Sequence, residues 1–175
     1  MLAGKRIVLG VTGGIAAYKA VEISRRLVDA GAHVVPVMTA GAERFLGATT
    51  LSALASEPVR TRLWDDPDTP IPHTMLGQSA DLVIVAPATA RIVASYAAGL
   101  STDLLTNVLL ATRAPVLVCP AMHTEMWEHP AVSTTSPRSA AAACTSGRSV
   151  IPVSYFGFGT ASPKSIRRAK CRSRF

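Results

Sequence analysis

Arg6-Ile7-Val8-Leu9-Gly10-Val11-Thr12-Gly13-Gly14-Ile15-Ala16-Ala17-Tyr18-Lys19 is the stretch that decides the fold. Residues 5–11 are almost continuously apolar, the mark of a strand buried on both faces. Thr12-Gly13-Gly14 breaks the run. From residue 15 to 30 the apolar positions change to helical spacing, at Ala16, Ala20, Ile23 and Leu27, with Arg25, Arg26 and Asp29 as polar positions. Gly31 supplies the residue that ends such a helix.

The same alternation continues along the chain. Residues 32–38 read as a second buried strand, Thr39-Ala40-Gly41 as a turn, and 42–46 as the start of a helix. Residues 57–72 hold Pro58, Pro67, Pro70 and Pro72 with Asp65, Asp66 and Asp68, so they read as loop with one short strand at 59–63. Residues 81–86 form a strand ended by Pro87. Helices follow near 91–98 and 102–112, and 116–119 is a further strand ended by Pro120. Short apolar strands alternating with helices imply an α/β fold: a parallel sheet with helices on both faces. Ligands of such sheets bind outside the carboxyl ends of the strands. The turns at 12–15, 39–41, 87–91 and 120–127 all fall at such ends.

Composition narrows the classes. The chain has 175 residues, 49% hydrophobic and 17% charged, which suits one domain with a real core. No apolar run has the roughly 18 residues of a membrane span. Three cysteines, Cys119, Cys144 and Cys171, cannot all pair within the chain, and no secretion signal is legible. Free thiols in a reducing cytoplasm are expected. The net charge of +7 is confined to one end. Residues 1–132 carry 10 Lys/Arg and 11 Asp/Glu, whereas residues 133–175 carry 8 Lys/Arg and no acid. With few aromatics among those cations, no nucleic-acid partner is expected.

Three constellations carry chemistry. Thr12-Gly13-Gly14-Ile15 lets backbone approach an anion, and the free N–H groups of the following helix favour a phosphate. It is neither a dinucleotide fingerprint nor a P-loop, and no acid closes the second strand, where Val37-Met38-Thr39 stands. As an ordinary tight turn it needs no ligand. His73, in Pro72-His73-Thr74-Met75, sits on a loop; most loop histidines are merely solvated, but an imidazole at a pocket mouth can serve as a base near neutral pH. Pro120-Ala121-Met122-His123-Thr124-Glu125-Met126-Trp127 follows a strand end directly. Read blandly, it is a helix start packing Met and Trp into the core. His123, Glu125 and His129 fit no zinc signature, so no metal is expected.

Together these residues resemble the homo-oligomeric flavin-containing cysteine decarboxylases. Gly-Gly-Ile-Ala-Ala-Tyr-Lys looks like that family's FMN-phosphate loop. His73 followed by Ala80-Asp81 is similar to its His…Ala-Asp pattern. Ala86-Pro87-Ala88-Thr89-Ala90 resembles its flavin-contacting strand end, and Gly99 through Asp103-Leu104-Leu105-Thr106 its Gly…Asp-Leu-Leu segment. Residues 120–127 resemble its Pro-x-Met-Asn-x-x-Met-Trp signature. The likeness spans residues 4–132 and is greatest to the branch that converts 4′-phosphopantothenoylcysteine to 4′-phosphopantetheine in coenzyme A biosynthesis.

The resemblance implies a flavodoxin-like or Rossmann-like three-layer fold, FMN as cofactor, and a carboxy-lyase reaction. The substrate's cysteine moiety is oxidised, the thioaldehyde-like product loses CO2, and the electrons return. By position, His73 matches the base. Gly13, Gly14, Ile15, Thr39, Thr89, Ala90, Arg91 and Ala121 match flavin contacts, and Met122 and His123 match substrate contacts. A homo-oligomer is implied, a trimer or dodecamer with flavin at subunit interfaces, without nucleic-acid or membrane partners. Alternatives of other kinds are a peptidyl-cysteine decarboxylase and a non-catalytic FMN-binding subunit. Position 123 is His where the family mostly has Asn, and position 91 is Arg where many members have Asn. The family's Gly-rich substrate clamp, often with a cysteine, is not recognisable; Cys144 lacks its pattern.

After residue 132 periodicity is lost, so 1–132 is expected to be the flavin domain and 133–175 an atypical basic tail. The family continues with Asp-Asn-Leu-Ala-Thr, which in GC-rich codons is GAC AAC CTC GCC ACG. Read one base later, this gives Thr-Thr-Ser-Pro-Arg, and the chain has Thr134-Thr135-Ser136-Pro137-Arg138. The tail is therefore expected to be a continuation read out of frame, with one strand regained at 150–153.

Overall fold

A computed structural model describes residues 2–64 and 70–132, together with the backbone of 150–152. The opening stretch folds as its pattern demands. In β1 (Arg6–Val11), Ile7, Leu9 and Val11 enter one buried cluster while Val8 enters another on the opposite face. β2 (His33–Met38) divides likewise, Val34 and Met38 to the first cluster and Val35 and Val37 to the second. β3 (Leu82–Ala88), β4 (Val116–Pro120) and β5 (Val150–Pro152) complete a parallel sheet in the order β2-β1-β3-β4-β5. β5 forms where a regained strand was expected; residue 153 lies outside the described residues.

Helices cover both faces, so the expected α/β three-layer architecture is what forms. A 3-10 turn (Ile15–Tyr18) leads into α1 (Lys19–Asp29), and α2 (Ala48–Ala53) packs beside it on the Ile7 face through Ala17, Ala20 and Leu51. On the Val8 face lie α3 (Pro72–Ser79), α4 (Ala90–Ala97) and α5 (Leu104–Ala111), which contribute Leu76, Ile92, Val93, Leu105 and Leu109. Full burial of one such Leu or Ile contributes about 1.5–3 kcal/mol. α6 (Thr124–Glu128) follows β4. No helix among the described residues is long and apolar enough to cross a membrane.

Several expectations need correction. His73 is not on a loop: it stands in the first turn of α3, whose first residue is Pro72. Proline suits that position, because its fixed φ is helical and its missing N–H would have no intrahelical partner there. Pro87 does not end its strand; β3 runs on to Ala88 across a register shift between Val85 and Ala88, where a missing N–H breaks no ladder bond. Pro120 is likewise the last residue of β4 rather than its stop. The short strand at 59–63 is reduced to one parallel bridge, Val37 to Arg60. Residues 65–69 lie outside the described residues, as does the tail with Cys144 and Cys171, apart from the β5 backbone.

The order β2-β1-β3 places β1's two neighbours on opposite sides. The chain leaves β1 towards β2 and returns past it to β3. The turns leaving the carboxyl ends of β1 and β3 run to helices on opposite faces, and the crevice between such turns is where sheets of this kind bind ligands.

Candidate functional site

Four turns line the carboxyl edge, and specific contacts join them in a row. The first is Thr12-Gly13-Gly14, between β1 and the helical run beginning at Ile15. Gly13 lies against the second turn, Thr39-Ala40-Gly41: a Cβ on Gly13 would stand 2.6 Å from both the carbonyl carbon and oxygen of Gly41. Only glycine fits that approach. Thr39 anchors its own turn, its amide donating to the Val11 carbonyl at 3.1 Å and its hydroxyl accepting the Ala42 N–H at 3.3 Å.

The third turn joins the first across the crevice. Thr12 Oγ1 donates to the Pro87 carbonyl at 2.6 Å and accepts the Thr89 N–H at 3.2 Å. The fourth turn is held to the third by the Ala121 N–H, which donates to the Ala88 carbonyl at 3.0 Å. Gly13, Gly14, Thr39, Thr89, Ala121 and Met122 therefore lie on four adjoining turns, and Ile15, Ala90 and Arg91 in the first turns of the helices that follow two of them.

Hydrogen-bond capacity at this edge is unspent. Thr89 is the N-cap of α4, yet its side chain caps nothing. The N–H groups of Gly13 and Gly14 find no acceptor among the described residues. Open N–H groups at a helix start carry partial positive charge and suit an anion. α5 is the contrast: Asp103 and Thr106 close a full capping box there, with the Thr106 N–H donating to Asp103 Oδ1 at 2.8 Å.

His73 comes to this side by the direction of its helix. α3 leads to Asp81 at the amino edge, where the Asp81 carboxylate takes the Arg6 N–H at 2.9 Å and Lys5 Nζ at 2.9 Å. Its first turn therefore lies towards the carboxyl edge. Gly77 lets α3 sit closely on the end of α5, since a Cβ there would be 3.0 Å from the Thr112 nitrogen. His73 Nδ1 is buried and has no partner among the described residues. Buried polar atoms are nearly always bonded, so His73 Nδ1, like Arg6 Nε at the amino edge, is an exception among the described residues.

The 120–127 run does not pack into the core of this chain. Met126 and Trp127 are 49% and 40% exposed, which removes the bland reading for the single chain. His123, the N-cap of α6, is exposed and pairs through Nδ1 with Glu125. Glu125's own backbone N–H, then His123, hold its carboxyl below the usual range. That pairing leaves Nε2 as the free ring nitrogen. Cys119, a free thiol on β4, is pushed upward by burial and so is a poor nucleophile at neutral pH.

Sequence reading missed Thr12 and Gly41. Gly41 stood in a turn already noted, but nothing in the pattern paired it with Gly13. Thr12 bonds residues 75 and 77 positions away, which no local pattern reveals.

Comparison with known proteins gives a consistent result. Residues 1–138 match the Flavoprotein family. The chain is 54% identical over 127 residues to the coenzyme A biosynthesis bifunctional protein CoaBC of Mycobacterium tuberculosis, a match covering 73% of this chain and 30% of that protein. The chain thus spans under a third of such a relative's length. Among solved structures it resembles the FMN-dependent cysteine decarboxylase SpaF, with TM-score 0.78, 28% identity, and coverage of 87% of this chain and 86% of that one. It also resembles a mutant PPC decarboxylase complexed with pantothenoylaminoethenethiol, with TM-score 0.68, 26% identity, and coverage of 85% and 81%.

Proposed function

The chain belongs to the Flavoprotein family, and from that premise we propose that it binds FMN and decarboxylates 4′-phosphopantothenoylcysteine to 4′-phosphopantetheine. The observation that carries this is the joined set of turns at the β1–β3 crevice, with its glycine cradle and uncapped α4. The residues present suit FMN. The Gly13 cradle admits no side chain, the Gly13 and Gly14 N–H groups have no acceptor among the described residues, and the first turn of α4 has no side-chain cap. Gly13, Gly14 and Ile15, with the first N–H groups of α4 at Ala90 and Arg91, would hold the phosphate end, and Thr39, Thr89 and Ala121 the remainder.

FMN, when bound, supplies reversible two-electron chemistry to the cysteine moiety of a substrate. The chain's own residues bind, orient and carry protons. His73 acts as the base, the role that its place in the His…Ala-Asp pattern implies. Met122 and His123 contact substrate from the fourth turn. Where the family mostly has an amide, His123 offers one ring nitrogen, Nε2, because Nδ1 is engaged by Glu125. Exposed Met126 and Trp127 beside this turn support a homo-oligomer, a trimer or a dodecamer, whose interfaces cover them. The setting is cytoplasmic, in keeping with the free Cys119.

Residues 1–132 form the flavin domain in this reading, and the sequence from about 133 is a continuation read out of frame. The matches to the CoaBC relatives extend over 127 and 131 residues, in keeping with a break in this region, whereas the Flavoprotein match runs on to residue 138. Sequencing the encoding DNA tests it: an unbroken native frame through Thr134–Arg138 contradicts it.

The test of function is CO2 release by the purified full chain, from 4′-phosphopantothenoylcysteine and from a peptide ending in cysteine. Release from the first substrate alone is expected. Release from the peptide alone would favour the peptidyl-cysteine reading. Bound FMN with release from neither would favour a non-catalytic subunit.

A further inference from the structure

Thr12 lies outside the residues assigned to cofactor or substrate, yet its hydroxyl is fully engaged. It is 2% exposed. A hydroxyl has one proton and two lone pairs. The proton goes to the Pro87 carbonyl at 2.6 Å, and one lone pair accepts the Thr89 N–H at 3.2 Å. The remaining contact, 3.3 Å to Thr89 Oγ1, must then run from the Thr89 hydroxyl as donor.

This has a consequence for α4. Threonine at an N-cap ordinarily bonds the N–H groups of the first turn. Thr89 occupies that position but is turned towards Thr12 and caps nothing. Its methyl group meanwhile lies over the glycine turn: a Cβ on Gly14 would be in ordinary contact with Thr89 Cγ2, at 3.5 Å. Thr89 is thus wedged between Thr12 and Gly14. α5 is also a helix of eight residues, and its N-cap residue does close on its own first turn.

We propose that Thr12 is a positioning residue for a phosphate-bearing ligand: it draws Thr89 off its own helix, so that α4's first N–H groups stay open at a fixed distance from the Gly13-Gly14 turn. A phosphate shared by two sets of donors gains only if their spacing is set beforehand. The inference rests on the reading that the crevice takes FMN. A merely structural Thr12, tying β1 to β3, would affect stability and leave ligand preference alone.

The test compares FMN with riboflavin, which lacks the phosphate, as ligands of the full chain with Thr12, Thr12→Ser and Thr12→Val. The wild type should prefer FMN, and Thr12→Ser should keep that preference within about twofold. Thr12→Val should lose about tenfold of it, the size of one hydrogen bond to a charged group. Unchanged preference in Thr12→Val overturns the proposal. Because that variant can fold poorly, a second measurement uses the wild type free of flavin, titrated with inorganic phosphate. Amide resonances of Gly14, Ala90 and Arg91 should shift together with one dissociation constant; a response at Gly14 alone overturns the proposal. A wild type that binds neither flavin defeats the FMN reading and this inference with it. A wild type that binds FMN while Thr12→Val keeps its preference defeats only the role of Thr12.

Discussion

At the scale of single residues, Gly13 and Gly14 separate two reasons for glycine. A Cβ on Gly13 meets the Gly41 backbone at 2.6 Å, and neither loop can yield without moving the crevice. Gly13→Ala should destabilise the protein by about 1–3 kcal/mol and weaken FMN binding. Gly14 is extended, with φ −172°, and has only a methyl group at 3.5 Å, so Gly14→Ala should change stability by less than about 0.5 kcal/mol. Thermal melts of the two variants check the contrast; equal losses would show that the Gly13–Gly41 approach is not what requires glycine. For His73, the proposed role as base predicts that His73→Asn keeps FMN and loses turnover. Turnover at the wild-type rate in that variant would remove His73 as the base. The glycine turn was legible because a break after an apolar run is local. Its closure onto Gly41 was not, because that contact depends on how β2 pairs beside β1.

At the scale of elements, the sequence spoke most clearly where period and burial agreed. β1, β2, β4 and α1 were legible for that reason. α3 was not. Pro70 and Pro72 read as loop punctuation, but Pro72 occupies the one helical position where proline is at home. β3 was shortened by the same prejudice against Pro87, which is tolerated because the register shifts around it. The two capping arrangements give a prediction at this scale. The Asp103 carboxylate is spent on its own helix, so Asp103→Ala should cost about 1 kcal/mol of stability without altering FMN affinity. Chemical denaturation beside a flavin titration measures both; a large drop in affinity would mean that α5 also positions the site.

At the scale of the molecule, a charged cluster ties the β2 edge to the segment before the site. Glu57 accepts from Arg6 and His33, each at 2.8 Å, with Arg60 at 3.6 Å. Burial pushes the Glu57 carboxyl up, but His33, Arg6 and Arg60 outweigh it, and the net result lies below the ordinary 4.5. A carboxyl lowered on folding stabilises the fold above its unfolded value and loses that contribution as pH falls through the folded one. Wild type should therefore lose more stability than Glu57→Gln as pH drops below 4.5. Parallel acid-unfolding curves would contradict this. The net charge of the whole chain was a misleading signal at this scale, since it belongs to residues 133–175 and not to the domain that forms the crevice.

The claim on which the rest depends is that the four joined turns hold a flavin. The visible absorption spectrum of the purified full chain tests it most directly. Oxidised-flavin bands at about one FMN per chain, released on denaturation and restored by adding FMN, are the result predicted. A colourless protein that takes up no FMN would contradict the account.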